Sequence, residues 1–245
     1  MAFTNNRHTV KRFDSEIDSL IEQVLEMGRA AGQQVEQAVT AFRAGDIELA
    51  QAVVAGDDML NRRDLDIDQA CIRLLARRQP VSTDMRLVMS LHKAVADLER
   101  IGDEAKSIAE KALAIQARGG GLHKGVAHDM DCLAQVALQR FVAARDALAQ
   151  LNIKQAWELV RQEKDPVEEA FQDSLRSLSV LSLEGGPMVA TIIDVVLAFK
   201  ALKRVADHAD NFLPRVRLLR PVRAGYPRAH AQNHIHRRKR RKNGK

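Results

Sequence analysis

The sequence is poor in the residues that mark secreted, membrane-spanning or nucleotide-binding chains. Two cysteines in 245 residues, Cys71 and Cys132, are too few for a disulfide framework or a Cys-ligated zinc site. Their positions in apolar helical patterns predict buried, inert thiols. No apolar run approaches the roughly 20 residues of a membrane helix. Met1–Thr9 lacks the apolar core of a secretory leader, which predicts a cytoplasmic protein. Aromatics make up 4% of the chain, low for a β-sandwich and unhelpful for base stacking. There is no G-x-x-x-x-G-K-[ST] loop, G-x-G-x-x-G turn or H-E-x-x-H pair, and no Glu has a His three residues later. The chain is expected not to be an enzyme.

What is abundant is charge, unevenly placed. Of the 38 Lys and Arg, 12 lie in residues 215–245, which contain no Asp or Glu. The 214 residues before them hold 26 basic and 32 acidic residues, a net of −6. The overall +6 is thus a basic tail on a mildly acidic body. Arg237, Arg238, Lys239, Arg240, Arg241 and Lys242 form the densest block. Such a block predicts disorder, with anionic membrane or nucleic acid as the partners it could contact.

Helical periodicity dominates the body, and strand signals are absent. Phe13, Ile17, Leu20, Ile21, Val24, Ala31, Val35, Val39 and Phe42 make one long stripe, ended by Gly45-Asp46 with Asp46 as the next cap. A second helix is expected over 47–78, interrupted at Pro80, and a third from about Thr83 to the Gly119-Gly120-Gly121 cluster. The second half repeats the plan. A helix is expected over 124–150, another from about Asn152 to Leu183, and a break at Gly185-Gly186-Pro187. A last helix is expected from about Met188 to Asp210 or beyond, ending before Pro214, with Pro221 and Pro227 breaking any continuation. Ala96–Ala105 aligns with Ala201–Ala209, so that Asp103 and Asp207 correspond. The predicted fold is all-α: two tandem antiparallel three-helix bundles, residues 1–118 and 119–218, with a basic tail at 219–245.

With Leu98 at zero and 100° per residue, Leu91, Gly102, Ala105 and Ala109 fall within about 40° of it, the buried stripe of the third helix. Glu99 and Asp103 fall at about 100° and 140°, close to Glu110 and His92. The acids therefore line the border of the core. As i,i+4 neighbours they repel, and a bound cation would reverse that cost. A solvated acidic face neutralised by Arg100 and Lys106 satisfies the same spacing without metal. On the second helix, Asn61, Asp64 and Asp68 share a face and could add ligands. Arg62 and Arg63 make a solvated face the blander reading. Trp157 reads as a core anchor.

The stretch Ala96-Asp97-Leu98-Glu99-Arg100-Ile101-Gly102-Asp103-Glu104-Ala105, then Ile108-Ala109-Glu110, resembles the repeated signature of the PhoU family. Leu74–Arg86, with its Gln79-Pro80 turn, resembles that family's link between second and third helices. The resemblance spans roughly residues 5–218. It implies negative regulation of phosphate uptake and of the phosphate-starvation response. It implies as partners the ATPase subunit of the phosphate transporter and a sensor histidine kinase, and it favours a homodimer. It also implies multinuclear iron or zinc held by Glu/Asp-x-x-x-Asp motifs. Those are Glu99 and Asp103 first, then Asp207 and Asn211, where Lys203 replaces a family Glu and Pro214 its last Glu. Lys203 and Asp207 are i,i+4 partners, so an internal cation is expected in place of metal in the second motif. Two other functions fit parts of the chain: nucleic-acid binding through the tail, and a metal-dependent phosphoesterase on the acidic stripe.

Overall fold

A computed structural model describes the backbone of residues 5–81, 83–150, 165–183 and 189–223, and side chains within 13–81, 84–149, 165–182 and 189–211. The fold is all-α. Its described helices are α1 (Asn5–Ala44), α2 (Ile47–Arg78), α3 (Thr83–Ala117), α4 (Lys124–Gln150), α5 (Pro166–Leu183) and α6 (Val189–Arg223).

Local chemistry sets most of the helix ends. Gly45 follows α1 with φ of 65°, a left-handed conformation that costs glycine nothing. Asp46 then caps α2, its carboxylate accepting from the Leu49 N–H at 2.9 Å. Gln79 ends α2 at φ 46°, donating its N–H to the Leu75 carbonyl, and Pro80 blocks a further turn. Gly119, at φ 71°, ends α3.

Helices α1, α2 and α3 pack against one another, as do α4, α5 and α6. The halves then join through α1 on α4 and, most extensively, α3 on α6. The α3–α6 pair is antiparallel: Arg118 meets Asp194, Glu104 meets Arg204, and Asp97 meets His208. One continuous apolar core runs through both halves, with Phe42, Leu60, Leu98, Ile101, Phe141 and Phe199 fully enclosed. Burying each such side chain is worth about 1.5–3 kcal/mol. All of the expected α1 stripe is buried except Phe13, which is half-buried.

Helices approach closely where side chains are missing, both between the bundles and within the first. A Cβ on Gly32 of α1 would stand 3.0 Å from the Phe141 ring of α4. A Cβ on Gly102 of α3 would stand 2.5 Å from Leu60 Cδ1, so this fully buried side chain would have to shift. Gly102 thus trades helix propensity, about 1 kcal/mol, for close packing on α2.

Three expectations are corrected. The helix expected from Asn152 to Leu183 is not continuous, since the chain is non-helical at Asp165 and α5 begins at Pro166. Asp165 caps it, accepting from the Val167 N–H at 3.0 Å, with proline at the first helical position and Glu168 in the first turn. That Asp-Pro-x-Glu signal was in the sequence. Helix α6 continues past Pro214 and Pro221 to Arg223. A proline removes one backbone bond and crowds one carbonyl, which weakens a helix without forbidding it. Cys132 is exposed, because it shares the outer face of α4 with His128, Gln135 and Gln139. Cys71 is buried, and burial, with Asp68 beside it, raises its thiol to about 11. The Asn152 cap, Trp157, the Gly185-Gly186-Pro187 break and Arg237–Lys242 lie outside the described residues.

Candidate functional site

The acidic stripe forms where the solvent-side border of α3 meets α2. Leu91, Leu98, Ala105 and Ala109 are buried as their azimuth requires, which leaves Glu99 half-buried and Asp103 exposed beside them. The Glu99 carboxyl titrates above its usual value, through burial and then the charges of Asp103, Asp64 and Asp57. Asp103 is likewise raised by burial and by Asp57. Asp64 is raised by burial and by Asp68, with His92 pulling the other way. Four carboxylates of α2 and α3 therefore share one negative field.

The cations reach only part of it. Lys106 Nζ sits 2.9 Å from Asp57 Oδ2, and Asn61 donates to the same oxygen at 3.2 Å. Asp57 is only 3% exposed, and its Oδ1 has no partner. Gln34 of α1, packed against Gly56 and Gly102, also keeps both amide atoms unpartnered in the core. Arg100 turns from the stripe toward the buried Asp97, 3.9 Å away. His92 faces Asp68 at 3.2 Å. Among the described residues, no three His, Cys, Asp or Glu side chains converge closely enough to hold a metal ion. The oxygen-rich donors suit a hard cation by type. With Asp57 already held by Lys106, however, the side chains do not fit a ready-made multinuclear cluster.

The second motif is chemically different. Lys203 Nζ lies 3.4 Å from Asp207 Oδ2 and 3.4 Å from Glu168 Oε2 of α5. Burial works against the Lys203 charge, but Asp207 and Glu168 outweigh it and hold the ammonium above its usual value. The expected internal cation is present, and it also ties α5 to α6. Asn211 is exposed.

The two motifs meet at the α3–α6 crossing. Arg204 pairs with Glu104 at 3.3 Å. In the repeat, the equivalent pair is Arg100 with His208, whose ring is half-buried and points its Nδ1 toward Asp97 at 4.0 Å. Burial lowers the His208 pKa, and Arg100 and Arg204 lower it further against Asp207. Nearby, Arg140 of α4 is nearly enclosed, bonded to Asp165 at 2.7 Å and to Asp210 at 3.3 Å. The Asp210 carboxyl is pushed up to about 6, chiefly by burial, with Arg140 opposing. Sequence reasoning missed Asp57, Asp97, Arg140 and Asp210. Asp57 was findable: Val53, Asp57 and Leu60 share one buried face of α2, so a partner was required.

Comparison with known proteins matches both halves of this arrangement. The family model described as the PhoU domain matches residues 24–112 and 132–216. The phosphate-specific transport system accessory protein PhoU of Escherichia coli is 31% identical over 206 residues, 84% of either chain. The homologue from Pseudomonas aeruginosa is 34% identical over 205 residues, 83% of either chain. The crystal structure of PhoU from Pseudomonas aeruginosa superposes with a TM-score of 0.78 at 31% identity, over 85% of this chain and 99% of that one. The phosphate transport system regulatory protein PhoU from Streptococcus pneumoniae gives 0.74 at 22% identity, over 85% and 96%, a likeness of fold.

Proposed function

This chain belongs to the PhoU family, and on that premise we propose that it is a non-enzymatic negative regulator of phosphate uptake and phosphate-starvation signalling. It acts in the cytoplasm as an adaptor, as a homodimer, between the ATPase subunit of the phosphate transporter and a sensor histidine kinase. The carrying observation is the family match over both bundles, together with relatives named as accessory proteins of the phosphate-specific transport system. No described helix is long and apolar enough to cross a membrane, which suits a protein that docks onto membrane partners. Removing the gene from its host should raise phosphate uptake and switch on phosphatase at high phosphate. Unchanged uptake and phosphatase would end the regulatory reading. Co-purification with the two membrane partners tests the adaptor role.

Any cation the chain takes up belongs at the first motif, where Glu99 and Asp103 carry surplus negative charge, and not at the second, where Lys203 already sits against Asp207. Elemental analysis after incubation with iron or zinc and desalting should find metal lost in Asp103→Ala and kept in Asp207→Ala. The histidine-bearing tail is replaced by Gln and Ser in both variants, so that it does not scavenge metal. Equal loss from both variants would refute this assignment.

A further inference from the structure

The outer face of α6 carries a row of side chains that changes character halfway along. With Leu202 at zero and about 100° per residue, Val189, Ile193, Leu197, Lys200, Arg204 and His208 fall between about 140° and 240°. Phe199, Leu202, Val205 and Ala206 face the other way and are buried, so the row points outward. Its first three members are 72%, 53% and 40% exposed, although all are aliphatic. Lys200 and Arg204, which follow, are exposed cations.

Helix α3 adds cations to the same face. Arg118 meets Asp194, Glu104 meets Arg204 and Asp97 meets His208, so Arg100 and Lys111 stand across from the basic half of the row. The charges feel one another: Arg100 acts on His208, and Lys200 on Glu104. The acids lie beneath. The Asp97 and Glu104 side chains are 1% and 12% exposed, against 57% and 52% for Arg100 and Arg204. Asp207, on the border of the row, is held by Lys203 at 3.4 Å. Arg100, Lys111, Lys200 and Arg204 thus outnumber two enclosed acids and give this half a net positive surface.

We propose that this face docks an amphipathic helix of a protein partner, laid along the α3–α6 groove. Its apolar side chains meet Val189, Ile193 and Leu197, and its carboxylates meet the four cations. Steps of three and four residues recur about every 5–6 Å, the rise between successive anchors of a helix. Width argues against a broader anion. Glu99, Asp103 and Glu110 border the face at about 100–140° on α3. A bilayer or a nucleic-acid duplex would press its own charge onto them, whereas a helix about 10–12 Å across stays clear. A second copy of the chain would pair three aliphatics a side, against the roughly 20–30 residues of a stable interface. The inference rests on surface chemistry alone and stands whether or not the regulatory reading does.

The probe is a synthetic fluorescein-labelled peptide of about 22 residues, mainly alanine and glutamine. One half carries leucines on one face, and the other half carries glutamates on the same face. It is made in both orders, because the groove admits either direction, and its binding to the full-length chain is read by fluorescence anisotropy. At least one order should bind. Exchanging its glutamates for glutamine, or its leucines for serine, should each cost about tenfold in Kd. Full-length Lys111→Glu/Lys200→Glu should lose about tenfold and most of the salt dependence. Full-length Ile193→Ser/Leu197→Ser should lose about tenfold and keep it. Arg204 is left intact because Glu104 pairs with it. Circular dichroism checks that both variants stay helical. Replacing Arg237–Lys242 with Gln should leave most of the binding, and the peptide exchanges are repeated on that chain, so the test holds even if a row variant unfolds. Absence of binding in both orders, loss confined to the tail variant, or displacement of the peptide by phosphatidylglycerol vesicles would each overturn the proposal. A shift from dimer to monomer in Ile193→Ser/Leu197→Ser, read by sedimentation equilibrium, would assign the face to a second copy and overturn it too.

Discussion

Lys106→Met is expected to lower the unfolding free energy by about 3 kcal/mol, because it strands Asp57. That carboxylate lies in the core of the first bundle, and Lys106 and Asn61 share one of its oxygens while the other has no partner. Removing one member of a buried pair leaves an uncompensated charge, which typically costs about 3–5 kcal/mol. The partial exposure of Lys106 lets water enter and moves the expectation to the lower limit. For a domain of this size the melting temperature should fall by about 6–12 °C. Asp57→Asn in the same background should restore most of the loss, since the neutral amide needs no ammonium. The check is urea or thermal unfolding of the wild type, both single variants and the double variant. A double variant no more stable than Lys106→Met would mean that lost packing, not charge, carries the effect.

Asp210→Asn should do the opposite and stabilise the protein at neutral pH. The folded chain holds a proton on Asp210 up to about pH 6, whereas the unfolded chain releases it near 3.8. Between those values the folded state binds more protons, so its stability falls as pH rises from about 4 to about 6. Two pH units correspond to at most about 3 kcal/mol, and the opposing pull of Arg140 is already contained in the raised value. Asp165 runs the other way. Burial raises its carboxyl, but Arg140 and the α5 backbone N–H groups outweigh it, so its contribution is lost as pH falls. Unfolding curves of the wild type and Asp210→Asn between pH 4 and 8 should diverge with rising pH, the variant being the more stable above pH 6. Parallel curves would place the cost of burying Asp210 elsewhere.

Both effects arise from residue pairs that no local pattern reveals. The C-terminal ends of α1, α2 and α3 and the starts of α2 and α4 were legible because caps, left-handed glycines and prolines act within one turn of the backbone. The Lys203–Asp207 contact was legible for the same reason, being an i,i+4 pair. The start of α5 was written in Asp165-Pro166 and overlooked in favour of periodicity alone. The end of α6 was misplaced by treating Pro214 as an absolute stop. Of the candidate site, the border position of Glu99 and Asp103 follows from helix azimuth. That Lys106 leaves them for Asp57, 49 residues away, does not.

The sequence by itself determined the all-α class, the repeat about Asp103 and Asp207, and the split between an acidic body and a basic tail. Spacing, capping and composition act along the chain and need no partner to be read. Only the tertiary structure decided that α3 runs antiparallel to α6. That crossing sets Arg204 on Glu104 and brings His208 against the buried Asp97. Helix crossing depends on how side chains from distant segments interdigitate, and small residues such as Gly32 and Gly102 set how near the axes come.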